Sequence, residues 1–331
     1  MTQLMWPSQG LHNIRRLDKY KWLSPSQGSM AIASVNVTNI EGLGNGGTIE
    51  YNAPIPDLVE DFVTSGKSFV LDNITVGLEG LQISKGSEDG KFMYCYDVGN
   101  NDILQYNFGT PYDLDTVVNS AHGFSVPLGS SGIEFDFEFS GTGTLLYFII
   151  FASSKFRLNS ENLFVPWQLI DGDANSEQNF DFDTLPVISI SFSTDGLTLF
   201  ALVGSMPVGS IRQYNLLAPF MVKNMVDSGT IFNLPSGLPV RNIRLLPDGL
   251  NVYVSATNET VHRFELATPN DLSTISTTVD GILNVSASLN DLEGIAVSSN
   301  ATKLFVVDQQ IFKVIEWIAP TTQGPIEVVV P

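Results

Sequence analysis

Short runs in which apolar and polar residues alternate recur along the chain, each followed by a tight turn and a more uniformly apolar run. The alternating runs are "LQIS" at 81–84, "FEFS" at 137–140, "ISFS" at 190–193, "IRLL" at 243–246 and "IAVS" at 295–298, with "YKWLS" at 20–24 ahead of them. After the turns come "EDGKFMY" (88–94), "GTGTLLY" (141–147), "STDGLTLF" (193–200), "PDGLNVY" (247–253) and "SNATKLF" (299–305). Period-two alternation predicts strands, and Asp-Gly-like pairs between such runs predict hairpins, because glycine reaches positive φ at no steric cost. No segment carries a helical period.

The closing aromatics Tyr94, Tyr147, Phe200, Tyr253 and Phe305 stand 53, 53, 53 and 52 residues apart. A third run follows each pair: "QYNFGTP" (105–111), "QYNLLAP" (213–219), "RFELATP" (263–269), "VIEWIAP" (314–320), an eroded "FRLNS" (156–160) and "EYNAPIP" (50–56). Its proline removes a ladder donor and ends the strand. Weaker fourth runs such as "IFNL" and "GILNV" complete a unit of four strands. Four strands in about 50 residues is the pattern of a propeller blade.

A degenerate copy, "SPSQGSMAI" at 24–32, stands 62 residues ahead of Tyr94, with "EGLGNGG" as the insertion. Counting it predicts an all-β, six-bladed β-propeller filling residues 1–331 as one domain. The repeats would run 12–75, 76–130, 131–184, 185–237, 238–290 and 291–331, with 1–11 as a closing or docking segment. Either "PIEVVV" at 325–330 or the N-terminal "QLMWP" is expected to supply the strand that locks the ring.

Composition narrows the function. Sixteen Lys plus Arg against 35 Asp plus Glu give a net charge of -19, which repels phosphate backbones and acidic membrane surfaces. Nucleic-acid binding is therefore excluded as an expectation, and such acidity suits solubility at high salt. The lone Cys95 rules out an internal disulfide and sits in the apolar "FMYCY", as a buried small hydrophobe. "MTQLMWPSQG" has neither a basic start nor an apolar core, and the longest apolar run, "LLYFIIFA", has strand length. A chain made in a cytoplasm, with no membrane insertion, is expected.

In a propeller the first strand of each blade lines the channel. Equivalent positions there are Tyr20, Glu79, Phe135, Ile188, Arg241 and Glu293. The Glu-Gly contexts "LEGLQIS" and "LEGIAVS" resemble six-bladed lactonase and gluconolactonase-type propellers, in which such a glutamate is a metal ligand. The remaining ring positions do not supply the converging oxygen or nitrogen donors a divalent ion needs. Pairing of Glu79 with Arg241 is the structural alternative.

His12, His122 and His262 fall at unrelated phases and form no zinc motif, and Gly42–Gly47 lacks the context of a phosphate cradle. "DGDANSE" places Asp171, Asp173, Asn175 and Glu177 at alternate positions, as in an oxygen-rich calcium loop. Ser176 and Phe182 stand where an EF-type loop wants glycine and glutamate. Ca2+ is thus a candidate ion, a solvated acidic loop is the alternative, and no cofactor is required by the pattern.

The composite "DGKFMYCYDVGNNDILQYNFGTPYDLDT" (89–116), echoed by "DGLNVYVSATNETVHRFELATPNDLST" (248–274), resembles repeats of bacteriophage and prophage virion proteins with propeller domains. The resemblance implies a non-enzymatic virion component: tail-associated, receptor-binding or decorating. Its implied partners are other virion proteins and a host-surface glycan or protein receptor, with homo-oligomers formed through the assembled particle. A lactonase-type hydrolase and a bacterial scaffold propeller are the alternatives. On propeller topology one face carries the loops 36–47, 97–102, 204–209 and 256–260, including Asn45, Asn100, Met206 and Asn258. That face is expected to meet partners, and the opposite face, with the Asp-Gly turns and proline corners, to be structural.

Overall fold

The computed structural model describes residues 62–319 except 73, 75–76, 127–135, 153, 170–172, 183–184 and 205–208, together with two short strands near the start. Chain contacts divide it into two compact units, Met1–Asp57 with Thr321–Pro331, and Leu58–Pro320. In the first, the described elements are β1 (Met5–Trp6) and β2 (His12–Asn13), an antiparallel pair. The second is a β-propeller.

Its strands form five antiparallel sheets of four among the described residues. Blade 1 is β4 (Leu78–Ile83), β5 (Phe92–Asp97), β6 (Asp102–Phe108) and β7 (Val117–Ser125). Blade 2 is β8 (Phe137–Phe139), β9 (Leu145–Ala152), β10 (Lys155–Asn162) and β11 (Asp173–Asp181). Blade 3 is β12 (Val187–Phe192), β13 (Thr198–Val203), β14 (Ser210–Asn215) and β15 (Val226–Asn233). Blade 4 is β16 (Val240–Leu245), β17 (Asn251–Ala256), β18 (Thr260–Glu265) and β19 (Gly281–Asn284). Blade 5 takes β20 (Leu292–Val297), β21 (Lys303–Asp308) and β22 (Lys313–Ile318) from the end of the chain, and its outer strand, β3 (Val63–Val70), from far upstream.

The expected six-bladed ring is therefore corrected to five blades. The segment counted as a first repeat, 12–75, contributes β3, which completes blade 5 instead of belonging to a blade of its own. The physical cause is the open edge of β22: three strands after residue 291 leave a row of ladder groups unpaired, and β3 satisfies them. β3 fills the closing position that "QLMWP" and "PIEVVV" were expected to compete for. Met5–Trp6 instead pairs with β2, and 325–330 as well as the degenerate copy at 24–32 lie outside the described residues.

The core lies between blades. Phe137, Phe139, Leu146 and Trp167 of blade 2 pack on Tyr94, Tyr96 and Ile103 of blade 1. Leu81, Met93, Cys95 and Tyr106 of blade 1 pack on Phe305, Val307 and Val314 of blade 5, so the ring is closed by apolar burial as well as by β3. Lys67 on β3 adds ion pairs to Asp113 (2.5 Å) and Asp115 (3.2 Å) in the turn before β7. Both carboxylates raise the Lys67 pKa through hydrogen bonds.

The recurring turn and the recurring proline corner are two halves of one contact. Tyr112, Trp167, Phe220 and Asn270 each follow a proline, adopt positive φ, and donate a backbone hydrogen bond to Gly90, Gly143, Gly196 and Gly249 (2.8–2.9 Å). The side chain then covers the glycine so closely that a Cβ on Gly90, Gly143 or Gly196 would overlap the aromatic ring. The closing aromatics extend this across the seam: Tyr94 donates to the Trp167 carbonyl (2.5 Å), and Tyr147 to that of Phe220. Gln105 and Gln213 accept from the Leu169 and Leu272 amides of the next blade (2.9 and 2.8 Å). Thus the residues that make the repeat legible are those that fasten one blade to the next.

Gly196→Ala is expected to cost about 3 kcal/mol, combining the left-handed backbone with the overlap against Phe220. Gly229→Ala, at φ 77° with nothing within 4 Å of a Cβ, is expected to cost about 1 kcal/mol. Urea denaturation of both variants checks the difference; equal midpoints would contradict it.

Candidate functional site

An innermost strand pairs on one side only, so its other row of N–H and C=O groups faces the channel and needs partners. Polar side chains from two rings of equivalent positions, two residues apart in each blade, meet much of this demand. The first ring is Gly80, Asp136, Ser189, Asn242 and Gly294; the second is Gln82, Glu138, Ser191, Arg244 and Ala296. Side chains of one blade take the amides of the following blade. Asp136 accepts from Ile190 N (3.1 Å), and Ser189 Oγ from Ile243 N (3.0 Å). One step along, Glu138 accepts from Phe192 N (2.9 Å) and Ser191 Oγ from Leu245 N (2.9 Å). Gln82 instead donates to the Phe137 carbonyl (2.8 Å).

Arg244 crosses the channel. Its Nη1 and Nη2 meet the two oxygens of Asp136 at 3.0 Å each, a bidentate pair with both residues buried. Nη1 also donates to the carbonyls of Ile243 (2.7 Å) and Ile190 (3.2 Å), and Nη2 to that of Leu81 (3.0 Å). Ser189 Oγ donates to Asp136 (2.6 Å), and Asn242 Nδ2 donates to Ser189 Oγ (3.2 Å). One guanidinium therefore ties strands of blades 1, 2, 3 and 4. Between the inner strands of blades 5 and 1 the backbones themselves come close: Gly294 lies so near Gly80–Leu81 that a Cβ there would stand 3.0 Å from it.

The sequence-derived channel ring is one residue out of phase with this network. Ile188, Arg241 and Glu293 each sit at a β-bulge, and the register also slips between Glu79 and Leu81. Each bulge places an extra residue directly before the first of the two bonded rows. Arg241 pairs with Glu293 (3.4 Å), and Gln309, with its amide turned to donate, reaches Glu293 (3.1 Å) and Asp291 (3.2 Å). Glu79 is half-buried on β4; Tyr20 and Phe135 lie outside the described residues. Among the described residues no group of three His, Cys, Asp or Glu is placed to hold a metal ion. Glu293 has the Arg241 guanidinium beside it, a cation that donates hydrogen bonds and does not ligate metals, so this pair does not fit a lactonase-type metal site. What sequence reasoning missed, the row at 136, 138, 189, 191, 242 and 244, was legible as polar residues alternating with apolar ones inside "FDFEFS", "ISISFS" and "RNIRLL".

The acidic stretch also takes another form. Asp173, Asn175 and Glu177 belong to β11, which pairs with β10, while Asp171 lies outside the described residues. An extended strand does not wrap an ion as an EF-type loop does, so these residues do not fit that motif. On the loop face, Asn100 and Asn258 are exposed; Asn45 and Met206 lie outside the described residues. His262 is buried in blade 4 beside Thr260 (2.8 Å), and burial lowers its pKa.

Glu138 is the titrating member of the channel. Burial pushes its carboxyl from the ordinary 4.5 up to about 7, opposed by Lys85, Arg244 and the Phe192 amide, and reinforced by Asp136. Between these values the folded chain holds a proton that the unfolded chain has released, so this group's contribution falls as pH rises from 4.5 to 7 and is constant above. The difference is worth about 3 kcal/mol. Glu138→Gln is expected to remove that slope and to gain on the wild type as pH rises through this window. Denaturation at pH 5, 6, 7 and 8 checks it; parallel profiles for the two proteins would contradict it.

No family model matches the chain, and no curated protein matches it. Among solved structures it is similar to the crystal structure of the Cps50 (Swd1) β-propeller domain of Myceliophteria thermophila, at 9% identity and a TM-score of 0.43, covering 78% of this chain and 99% of that one.

Proposed function

We propose that the chain is a non-enzymatic binding and structural propeller of a phage particle. The observation that carries the non-enzymatic part is the Arg244–Asp136 pair: two charged groups of the channel, where a propeller enzyme would collect its reactive side chains, are spent on each other and on backbone groups of three further blades. A guanidinium fixed by two carboxylate oxygens and three carbonyls has little freedom to act on a substrate. The particle part is supported by the repeat resemblance, with virion proteins and a host-surface receptor as its partners and the assembled particle as its location. The corner contacts and channel network also suit this role, because they hold exposed loops and turns on a rigid disc without a disulfide.

Mass spectrometry of gradient-purified phage particles tests this reading. Peptides of this chain should copurify with capsid and tail proteins at a constant ratio across the particle peak. Their confinement to the soluble lysate would overturn the particle assignment and favour a bacterial interaction propeller.

A further inference from the structure

Five blades repeat one design, so departures that the fold does not need are informative. In the corner before each proline, blades 1 and 4 place the small residues Gly109 and Ala267, whereas blades 2 and 3 place Phe164 and Leu217 at the same step. These two side chains are 71% and 72% exposed, the highest among the exposed large hydrophobics of the described residues. Val165 and Met221 of the same corners, Leu197 of the blade 3 turn and Val226 at the start of β15 are exposed as well.

Met221 sharpens the case. At its position blades 1 and 4 carry Asp113 and Asp271, whose side chains cap the following 3₁₀ turn by accepting from Asp115 N and Ser273 N. Met221 makes no such cap. The amide that such a cap would take, Lys223 N, is met instead at 3.5 Å by Gln178 Oε1 of blade 2, which leaves Met221 as an exposed thioether side chain of the kind favoured at adaptable binding surfaces.

Charge is depleted in the same places. The stretches 140–147, 162–169 and 213–222 contain no Asp, Glu, Lys or Arg, while the corresponding turn of blade 1 holds Lys85, Glu88, Asp89 and Lys91. Exposed Asp195 lies within the sector, Asp227 follows Val226, and Lys223 is the basic residue beside Met221. Whole-chain charge of -19 opposes pairing of two copies and favours a partner of opposite sign.

We infer that the turn-and-corner face of blades 2 and 3 is a docking surface for a basic protein partner that inserts apolar side chains around Phe164 and Leu217. This deepens the binding role proposed above and rests on it. The surface lies opposite the loop face that the sequence pattern marks for partners, so the disc has a second face for assembly.

The test uses the full chain and a labelled leucine/lysine amphipathic peptide as probe, with a leucine/glutamate peptide of equal length as the comparison. Binding is read by fluorescence anisotropy at 0.05 and 0.5 M salt. The lysine peptide should bind and weaken with salt, and Phe164→Ser/Leu217→Ser should reduce its affinity at least tenfold while Val70→Ser/Ile311→Ser leaves it unchanged. Thermal melts confirm that both variants fold, as expected for exposed positions. Equal binding by the Phe164/Leu217 variant, or equal binding of the glutamate peptide, would overturn the proposal. So would sedimentation showing a wild-type dimer that the same variant dissolves, since the face would then belong to a second copy. Absence from virions with this peptide result intact would remove the phage assignment alone, and the converse would remove the surface alone.

Discussion

A strand at the centre of a propeller has one row of backbone groups with no strand to pair with, and burial makes that row costly to leave unmet. Most of the unusual chemistry of this chain follows from that constraint. Asp136, Glu138, Ser189 and Ser191 take amides of the next blade, and Arg244 supplies donors to carbonyls of blades 1, 3 and 4 while its charge is matched by Asp136. The ion pair is buried, so its worth lies less in net Coulomb attraction than in how much would be lost if one partner were left alone. At the seam between blades 5 and 1, Gly80 and Gly294 let the two backbones come close together.

Around this centre the rim is fastened by local devices that repeat. A turn glycine, the residue after the proline, and a tyrosine or glutamine from the preceding blade form one contact at successive seams. Because the same residues both fold a blade and join it to its neighbour, a 53-residue period written in the sequence translates directly into blades. The strands, hairpins and propeller class were legible for this reason. The number of blades was not, because "SPSQGSMAI" and "EYNAPIP" carry the local sequence signals of a blade, whereas closure depends on which distant strand pairs with β22. Local patterning carries no information about that long-range pairing.

The hydrogen-bonded row of the channel was legible by residue type and stands one position from the ring that the sequence alignment selects. Bulges at Ile188, Arg241 and Glu293 insert one residue into an otherwise strict alternation, so the aligned positions stand next to the bonded row at 189, 242 and 294. The carboxylates flagged at Glu79 and Glu293 drew attention to metal chemistry, while the guanidinium at Arg244, hidden in the plain-looking "IRLL", organises the channel. Exposed apolar corners escaped notice for a different reason: Phe164 and Leu217 read as ordinary strand ends until the equivalent Gly109 and Ala267 reveal that the fold does not require them. Regularity inside and irregularity outside are thus combined in one ring of blades.

A double-mutant cycle on Asp136 and Arg244, measured by equilibrium denaturation at pH 8, tests the central claim most directly. Asp136→Leu and Arg244→Leu should each cost about 3–5 kcal/mol, because each leaves the other charge buried without its partner. The double variant should cost well under their sum, with a coupling of at least about 2 kcal/mol. Single costs below about 1 kcal/mol that simply add would show that the ring stands without the clamp.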